Sequence, residues 1–328
     1  MRWRTPVLLT VAVLQVGCSP QQSAMAPSGA EAERTNLLFW VMTTGGGIIF
    51  AGVLLIAALA ILGGPGLRHR LSQEVFVKGA GIVFPVVVLT ALLVYGLGIL
   101  RAGHAPDLQQ GTHRIAISGE QWWWRITYTD ASGRSFASAN ELHLPVGEPV
   151  SLMLTSPDVI HSFWAPQLAG KLDMIPGRTN VLTVTATEEG ISRGQCAEYC
   201  GGAHAFMSFH VVAHDPADYV DWLAAEAGPA QQPGTAAARR GAALFLASGC
   251  GGCHTVRGTA ADGAIGPDLT HVGARHSLAA ATLPNSAAAF ADWIVNNQHI
   301  KPENQMPTYG IFSETDLADL ASYLEGLD

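Results

Sequence analysis

Charge is scarce in this chain of 328 residues. Asp, Glu, Lys and Arg make up 13% of it, about half the roughly 25% of ordinary globular proteins. Hydrophobic residues reach 48%. A chain so poor in charge either lies partly in a membrane or carries unusual cores, and its length implies two or three folded units. It also lacks a basic excess: the net charge of −8 argues against nucleic acid and for basic partners. Cysteine is nearly absent, with five residues, so each needs a role.

Two long stretches lack charge altogether, residues 37–62 and 79–100. Each meets the roughly 20 apolar residues that a membrane-spanning helix requires. Gly45, Gly46, Gly47 and Pro85 would weaken soluble helices but are tolerated in bundled membrane helices. The connector, residues 63–78, carries Arg68, Arg70 and Lys78 against the single acid Glu74. An excess of positive charge marks a cytoplasmic loop. The hairpin 35–103 then has both ends outside, and everything after it lies in an oxidising, extracytoplasmic compartment. Ahead of it, MRWRTPVLLTVAVLQVG at 1–17 has the layout of a secretory signal. Cys18 follows and resembles the lipidated cysteine of bacterial lipoproteins, with Gln15 where that group has an aliphatic residue.

Residues 104–225 change character. HRIAISG, WWWRITYT, ELHLPVG, PVSLMLTS, NVLTVTAT and SFHVVAH read as short strands separated by turn signals. Their spacing predicts an all-β sandwich or Greek-key barrel. Between the last two lies GQCAEYCGGAHAFM at 194–207, expected as a loop across one end of the sandwich. Gly201 and Gly202 argue against a stable helix there. A Cys196–Cys200 disulfide would suit the compartment but would leave His204, Met207 and His161 of SPDVIHSFWAP, expected on the preceding loop, without a role. Thiolate, imidazole and thioether together favour copper, and two histidines, one cysteine and a weak methionine make the one-copper electron-transfer pattern. Here there are two cysteines, and a second thiolate is what a second copper requires, both sulfurs bridging the pair.

An Ala-, Pro-, Gln- and Gly-rich linker at 226–236 leads to a last domain, 237–328. Cys250, Cys253 and His254 form C-x-x-C-H, the signature of c-type haem attachment. A zinc site would need a second ligand pair, and none follows. A thioredoxin-like site would need a βαβ context, which is absent. Met306 is the sole methionine after His254, and His with Met is the axial pair that raises a haem potential. SETDLADLASYLEGL at 313–327 opens with a capping-box pattern, Ser313 and Asp316. Its leucines then recur at helical spacing. His271, His276 and His299 receive no role.

HSFWAPQLAGKLDMIPGRTN at 161–180, taken with 194–207 and the hairpin, resembles cytochrome c oxidase subunit 2 over roughly residues 35–225. GPDL at 266–269 and the C-x-x-C-H motif make 237–328 resemble class I cytochrome c. Together the chain resembles subunit 2 of a caa3-type oxidase with a fused cytochrome c domain. The resemblance implies a two-helix hairpin, an all-β cupredoxin-like Greek-key domain and an all-α class I cytochrome c domain. It implies a binuclear CuA centre on the side chains of His161, Cys196, Cys200, His204 and Met207 and the carbonyl of Glu198, whose carboxylate would reach magnesium. It implies haem c on Cys250, Cys253, His254 and Met306, and a place for Trp122 where electrons arrive from a soluble cytochrome. Asp173 and Arg178 would shape the interface with subunit 1. Glu74 is the candidate for that family's acid near a proton path.

The function so implied is electron input to a respiratory haem–copper oxidase of the bacterial inner membrane. Electrons would pass from cytochrome c, or another periplasmic or membrane donor, through haem c and CuA to the oxygen-reducing subunit 1. Subunit 3 is a further expected partner. Residues 104–225 carry six basic residues against thirteen acidic ones, and 237–328 carry five against nine, which suits a basic donor. Two alternatives share part of the pattern. A copper-containing nitric oxide reductase would use the same hairpin and centres. A copper-delivery protein would show an exposed cysteine pair on a thioredoxin-like fold, which the strands and the haem motif oppose.

Overall fold

The computed structural model describes residues 20–103, 113–130 and 132–328. The signal segment 1–17 and Cys18 lie outside the described residues. The first apolar run forms α1 (Ala30–Leu62), starting several residues ahead of the uncharged stretch because Glu31 and Glu33 favour a helix N-terminus. The second forms a π-helical turn, Gly79–Val83, running into α4 (Phe84–Gly103). Pro85 follows that π turn inside a continuous helical run, an interruption that membrane helices tolerate. The connector folds into two short helices, α2 (Pro65–Leu71) and α3 (Glu74–Lys78). Leu54 and Val86, among many large apolar side chains on α1 and α4, are more than half exposed. Both helices are long and apolar enough to cross a membrane, and such a surface suits lipid rather than water.

The next region is two packed five-stranded sheets. One contains β1 (His113–Glu120), β2 (Trp123–Thr129), β3 (Ser135–Ala139), β5 (Val150–Thr155) and β8 (Asn180–Val184) in the order β3-β2-β1-β5-β8. The other contains β4 (Glu141–Pro145), β6 (His161–Trp164), β7 (Leu172–Met174), β9 (Gly190–Cys196) and β10 (Ser208–His214) in the order β4-β10-β9-β6-β7. β1 pairs with β5, and β4 with β10, in parallel. Those parallel neighbours arise as the chain crosses between sheets, giving the cupredoxin-like sandwich. Burial alternates along β1 and β2, as a two-residue period demands. Ile115, Ile117, Trp124, Leu142, Phe163 and Phe209 fill the interior, each contributing about 1.5–3 kcal/mol.

Four of these strands were not expected: β3, β6, β7 and β9. Two expectations change as a result. His161 is the first residue of β6 rather than a loop residue, and Cys196 is the last residue of β9. The ligand stretch is therefore strand, turn and a single 3-10 turn (His204–Phe206), with no continuous helix.

The sandwich is held at a second place. Ahead of α1, the Ser28 amide donates to the Gln167 carbonyl at 2.8 Å, and the Thr187 amide donates to the Ser28 carbonyl at 2.9 Å. Gly29 lies so close to Leu168 that a Cβ would stand 2.2 Å from its carbonyl oxygen. The start of the hairpin therefore lies against the sandwich.

After β10 an unexpected helix, α5 (Pro216–Glu226), is capped by Asp215. The last domain is helical: α6 (Ala236–Ala247), α7 (Ala287–Ile300) and α8 (Glu314–Glu325). The capping box of Ser313 and Asp316 is present in full. Phe245, Phe290, Leu320 and Leu324 form its core.

Candidate metal centre and haem cleft

At one end of the sandwich, β6 and β9 pair antiparallel with Phe163 opposite Cys196. That register brings His161 beside the cysteine. His161 is fully buried, and its Nδ1 lies 3.8 Å from Cys196 Sγ. The turn after β9 returns Cys200 Sγ to within 3.8 Å of Cys196 Sγ. A disulfide needs about 2.05 Å, so the two sulfurs are neighbours and not a bridge. Cys200 Sγ lies 3.4 Å from His204 Nδ1 and 3.8 Å from Met207 Sδ. The Glu198 carbonyl oxygen lies 3.1 Å from Cys196 Sγ. Every predicted copper ligand is thus gathered in one place, and all but the half-buried His204 and Glu198 are buried. Two sulfurs at the centre, one imidazole on each and soft weak donors outside form a donor set that fits copper.

The electrostatics follow from the crowding. The Cys196 thiol is driven well down, chiefly by its hydrogen bond with Cys200 and then by His161, against burial. Cys200 is pushed up by the same neighbour and by burial. Burial pulls His161 down, but Cys196 and Asp158 outweigh it and its pKa is raised.

Asp158 was not foreseen. Its Oδ1 lies 2.9 Å from His161 Nε2, so the ring presents Nδ1 to the sulfurs. A carboxylate behind a ligand imidazole fixes its tautomer and orientation. The Gln121 amide holds the other carboxylate oxygen at 2.8 Å. The signal in sequence was an acid three residues before the histidine, unremarkable on its own. The Glu198 carboxylate is half-exposed, with Lys171 Nζ at 3.8 Å and Lys171 also 3.5 Å from Asp173.

The run WWWR alternates as a strand should. Trp124 is core, edge-on to Phe163 and Phe209. Trp123 is half-buried under the Arg125 guanidinium, 4.6 Å from its ring. Trp122 is 6% exposed, and its indole N–H donates to the Cys200 carbonyl at 3.0 Å. It does not lie on an open surface. It walls a cavity of about 220 Å³ that opens in the cytochrome domain.

That cavity is lined by Cys250, Cys253, His254 and Met306 on one side of the junction and by Gln121, Trp122 and Trp123 on the other. The two cysteines bracket a 3-10 turn entered through Gly249 at φ 81, a value that favours glycine. His254 Nδ1 lies 2.8 Å from the Pro267 carbonyl, which leaves Nε2 for a ligand bond. Gly266 of GPDL passes so near that a Cβ would stand 2.6 Å from the His254 ring. Paired thiols, a tautomer-fixed imidazole and a thioether around an apolar cleft fit a covalently bound haem. Lys301 also lines the cleft, and burial pulls its pKa down to about 7. Sequence reasoning gave it no role.

A copper-type donor set in a sandwich, a haem cleft beside it and two membrane-long helices define the class: a membrane-anchored electron-transfer chain of copper and haem c. Residues 131–214 match the family model for the periplasmic domain of cytochrome c oxidase subunit II, and residues 238–328 match that for cytochrome c. Cytochrome c oxidase subunit 2 of Alkalihalophilus pseudofirmus is 36% identical over 249 residues, covering 75% of this chain and 71% of the relative. The Bacillus subtilis protein of the same name is 28% identical over 355 residues, covering 99% and 98%. A crystal structure of the periplasmic domain of subunit II from Bradyrhizobium japonicum aligns with a TM-score of 0.33 at 31% identity, over 35% of this chain and 94% of that one. The chain belongs to the cytochrome c oxidase subunit 2 family.

Proposed function

We propose that this chain is the electron-input subunit of a membrane-bound haem–copper oxidase and that its two sites act in series. Two copper ions would be held by His161, Cys196, Cys200, His204, Met207 and the Glu198 carbonyl. Haem c would be held by Cys250, Cys253, His254 and Met306. When bound, these groups supply one-electron chemistry, accepting electrons from a donor and passing them toward the oxygen-reducing subunit. The chain's own contribution is rigidity. His161 is locked by Asp158, the Cys200 carbonyl by Trp122 and Gln121, and the sulfurs are shielded from water. Ligands held before the electron arrives need little rearrangement afterwards. The observation that carries the reading is the pair of sulfurs 3.8 Å apart, flanked by imidazoles, with Trp122 between them and the haem cleft.

The finer assignments belong to the same proposal. The copper end faces subunit 1, since Tyr199 and Phe206 beside His204 are exposed apolar groups. Glu198 and Asp173 form the acidic surface at which magnesium would bind. Subunit 3 completes the assembly, in the inner membrane with both domains on the periplasmic side, and Cys18 carries a lipid. The donor is cytochrome c or a membrane-bound equivalent, delivering to the haem cleft. The test of the copper count is electron paramagnetic resonance of the oxidised, copper-loaded chain. One electron shared by two copper nuclei gives a seven-line hyperfine pattern, and a four-line pattern would refute the pair.

A further inference from the structure

Lys301 is a buried lysine that neither metal site uses. The side chains of Lys78 and Lys171 are 65% and 49% exposed, whereas Lys301 is 3% exposed. A lysine so placed loses its hydration and must be compensated by fixed dipoles. Its Nζ donates across the domain junction to the main-chain carbonyl of Trp122, and to that of Ala279 in its own domain at 3.4 Å. The Trp122 indole in turn donates to the Cys200 carbonyl. A hydrogen-bonded line therefore runs from the haem cavity wall, through Lys301 and Trp122, to a copper-ligand residue.

The surroundings are shaped for this approach. A Cβ on Gly201 would stand 2.9 Å from the Trp122 ring, and one on Gly202 would stand 2.3 Å from the Glu303 carboxylate. Ala279, Ala280 and Ala281 are all left-handed, at φ 54, 61 and 57. Three such residues in a row are unfavourable for L-amino acids and persist only where surrounding contacts over-determine them. Here the Ala280 carbonyl accepts from the Ser208 amide at 3.2 Å, and the Ala281 carbonyl from Arg193 Nη2 at 3.3 Å. Ser208 directly follows the ligand Met207.

We propose that Lys301 is a positioning residue for electron transfer between the two sites: by holding the Trp122 carbonyl it fixes the indole against the haem cavity on one face and against the Cys200 carbonyl on the other. The inference rests on the haem-to-copper route proposed above. The rest of the junction does not depend on Lys301. The His276 amide donates to Glu141 Oε1 at 2.5 Å, Arg125 Nη2 to the Ala264 carbonyl at 2.9 Å, and Arg257 Nη1 to the Ala137 carbonyl at 3.1 Å.

The test uses the purified oxidase complex with Lys301→Met, Trp122→Phe and the double variant. Haem c is reduced by a light flash, and the appearance of reduced copper is timed. Lys301→Met should slow transfer about tenfold or more, and the double variant should be no slower than Trp122→Phe alone, as for two residues acting as one unit. Amide hydrogen exchange should show Ser208 still protected in Lys301→Met, because the domains stay docked. An unchanged rate, or additive losses, would overturn the proposal. So would a slower rate accompanied by lost Ser208 protection, which would make Lys301 a structural tie only. If Lys301→Met does not assemble, Lys301→Gln keeps an N–H donor and should transfer within about threefold of the unaltered complex; a tenfold loss there overturns the proposal. Failure of the unaltered complex to pass electrons from haem c to copper would instead refute the route itself.

Discussion

Arg257 should be the residue on which the domain junction most depends. Its Nη1 lies 2.6 Å from Asp268 Oδ2 and 3.1 Å from the Ala137 carbonyl. Its Nη2 donates to the Glu226 carbonyl at 2.5 Å and its Nε to the Gly228 carbonyl at 3.1 Å. One guanidinium thus joins β3, the end of α5, the linker and the cytochrome domain. The ion pair is largely out of water, with 19% of the Arg257 side chain and 7% of the Asp268 side chain exposed. Arg257→Met would leave Asp268 buried with the Thr270 amide as its remaining partner. Breaking a buried pair from one side costs about 3–5 kcal/mol, mostly because the remaining charge is uncompensated. For a domain of this size each kcal/mol shifts Tm by about 4–8 °C, so melting followed at the haem absorption should fall by roughly 12 °C or more. The same logic gives a sign that simple loss of contacts does not. Adding Asp268→Asn to Arg257→Met should recover stability, because it removes the stranded charge. A Tm change below about 4 °C for Arg257→Met, or a double variant less stable than the single one, would refute the reasoning.

Two further outcomes follow from the geometry. A Cβ on Gly119 would stand 3.0–3.1 Å from the His161 side chain, so Gly119→Ala should press the imbedded ring against the sulfurs. We expect a cost of about 1–3 kcal/mol and altered copper hyperfine splitting; an unchanged spectrum would show that the ring is not confined. Burial lowers the pKa of His143, His210 and His214 below 6.5. These groups are neutral when folded and protonate more readily when unfolded, so their contribution is complete above pH 6.5 and is lost as pH falls below it, by at most about 1.4 kcal/mol per pH unit for each. The copper-loaded chain should therefore melt lower at pH 5.5 than at pH 7.5, and His210→Phe, which removes a buried Nδ1 with no partner, should reduce that difference. Equal Tm at the two pH values would sink the idea.

The hairpin was legible because a run without charge has few other uses. β1, β2, β4, β5, β8 and β10 were legible because branched and apolar residues alternate along them. β6 and β7 were not, being four and three residues long, and β6 joins the sheet by pairing with β9, more distant in sequence. β9, GISRGQC, carries glycine and polar residues that no propensity favours for a strand; tertiary pairing with β10 makes it one. α5 did carry a signal, Asp215 followed by Pro216, but it stood beside a linker-like composition. The ligand residues were readable because thiols, imidazoles and a thioether at close spacing point to metal chemistry. Asp158, Lys301 and Arg257 were not, because an acid, a lysine or an arginine in a loop is usually solvated. Their roles exist only once distant segments have met.

The contact of residues 26–30 with the sandwich also governs motion. A domain carried on one tether sweeps a cone above the membrane. This one is held, besides its covalent link to α4, by backbone hydrogen bonds just ahead of α1. The height of the copper centre above the bilayer is then set by the hairpin itself, and a neighbour in the membrane that grips α1 and α4 grips the sandwich as well.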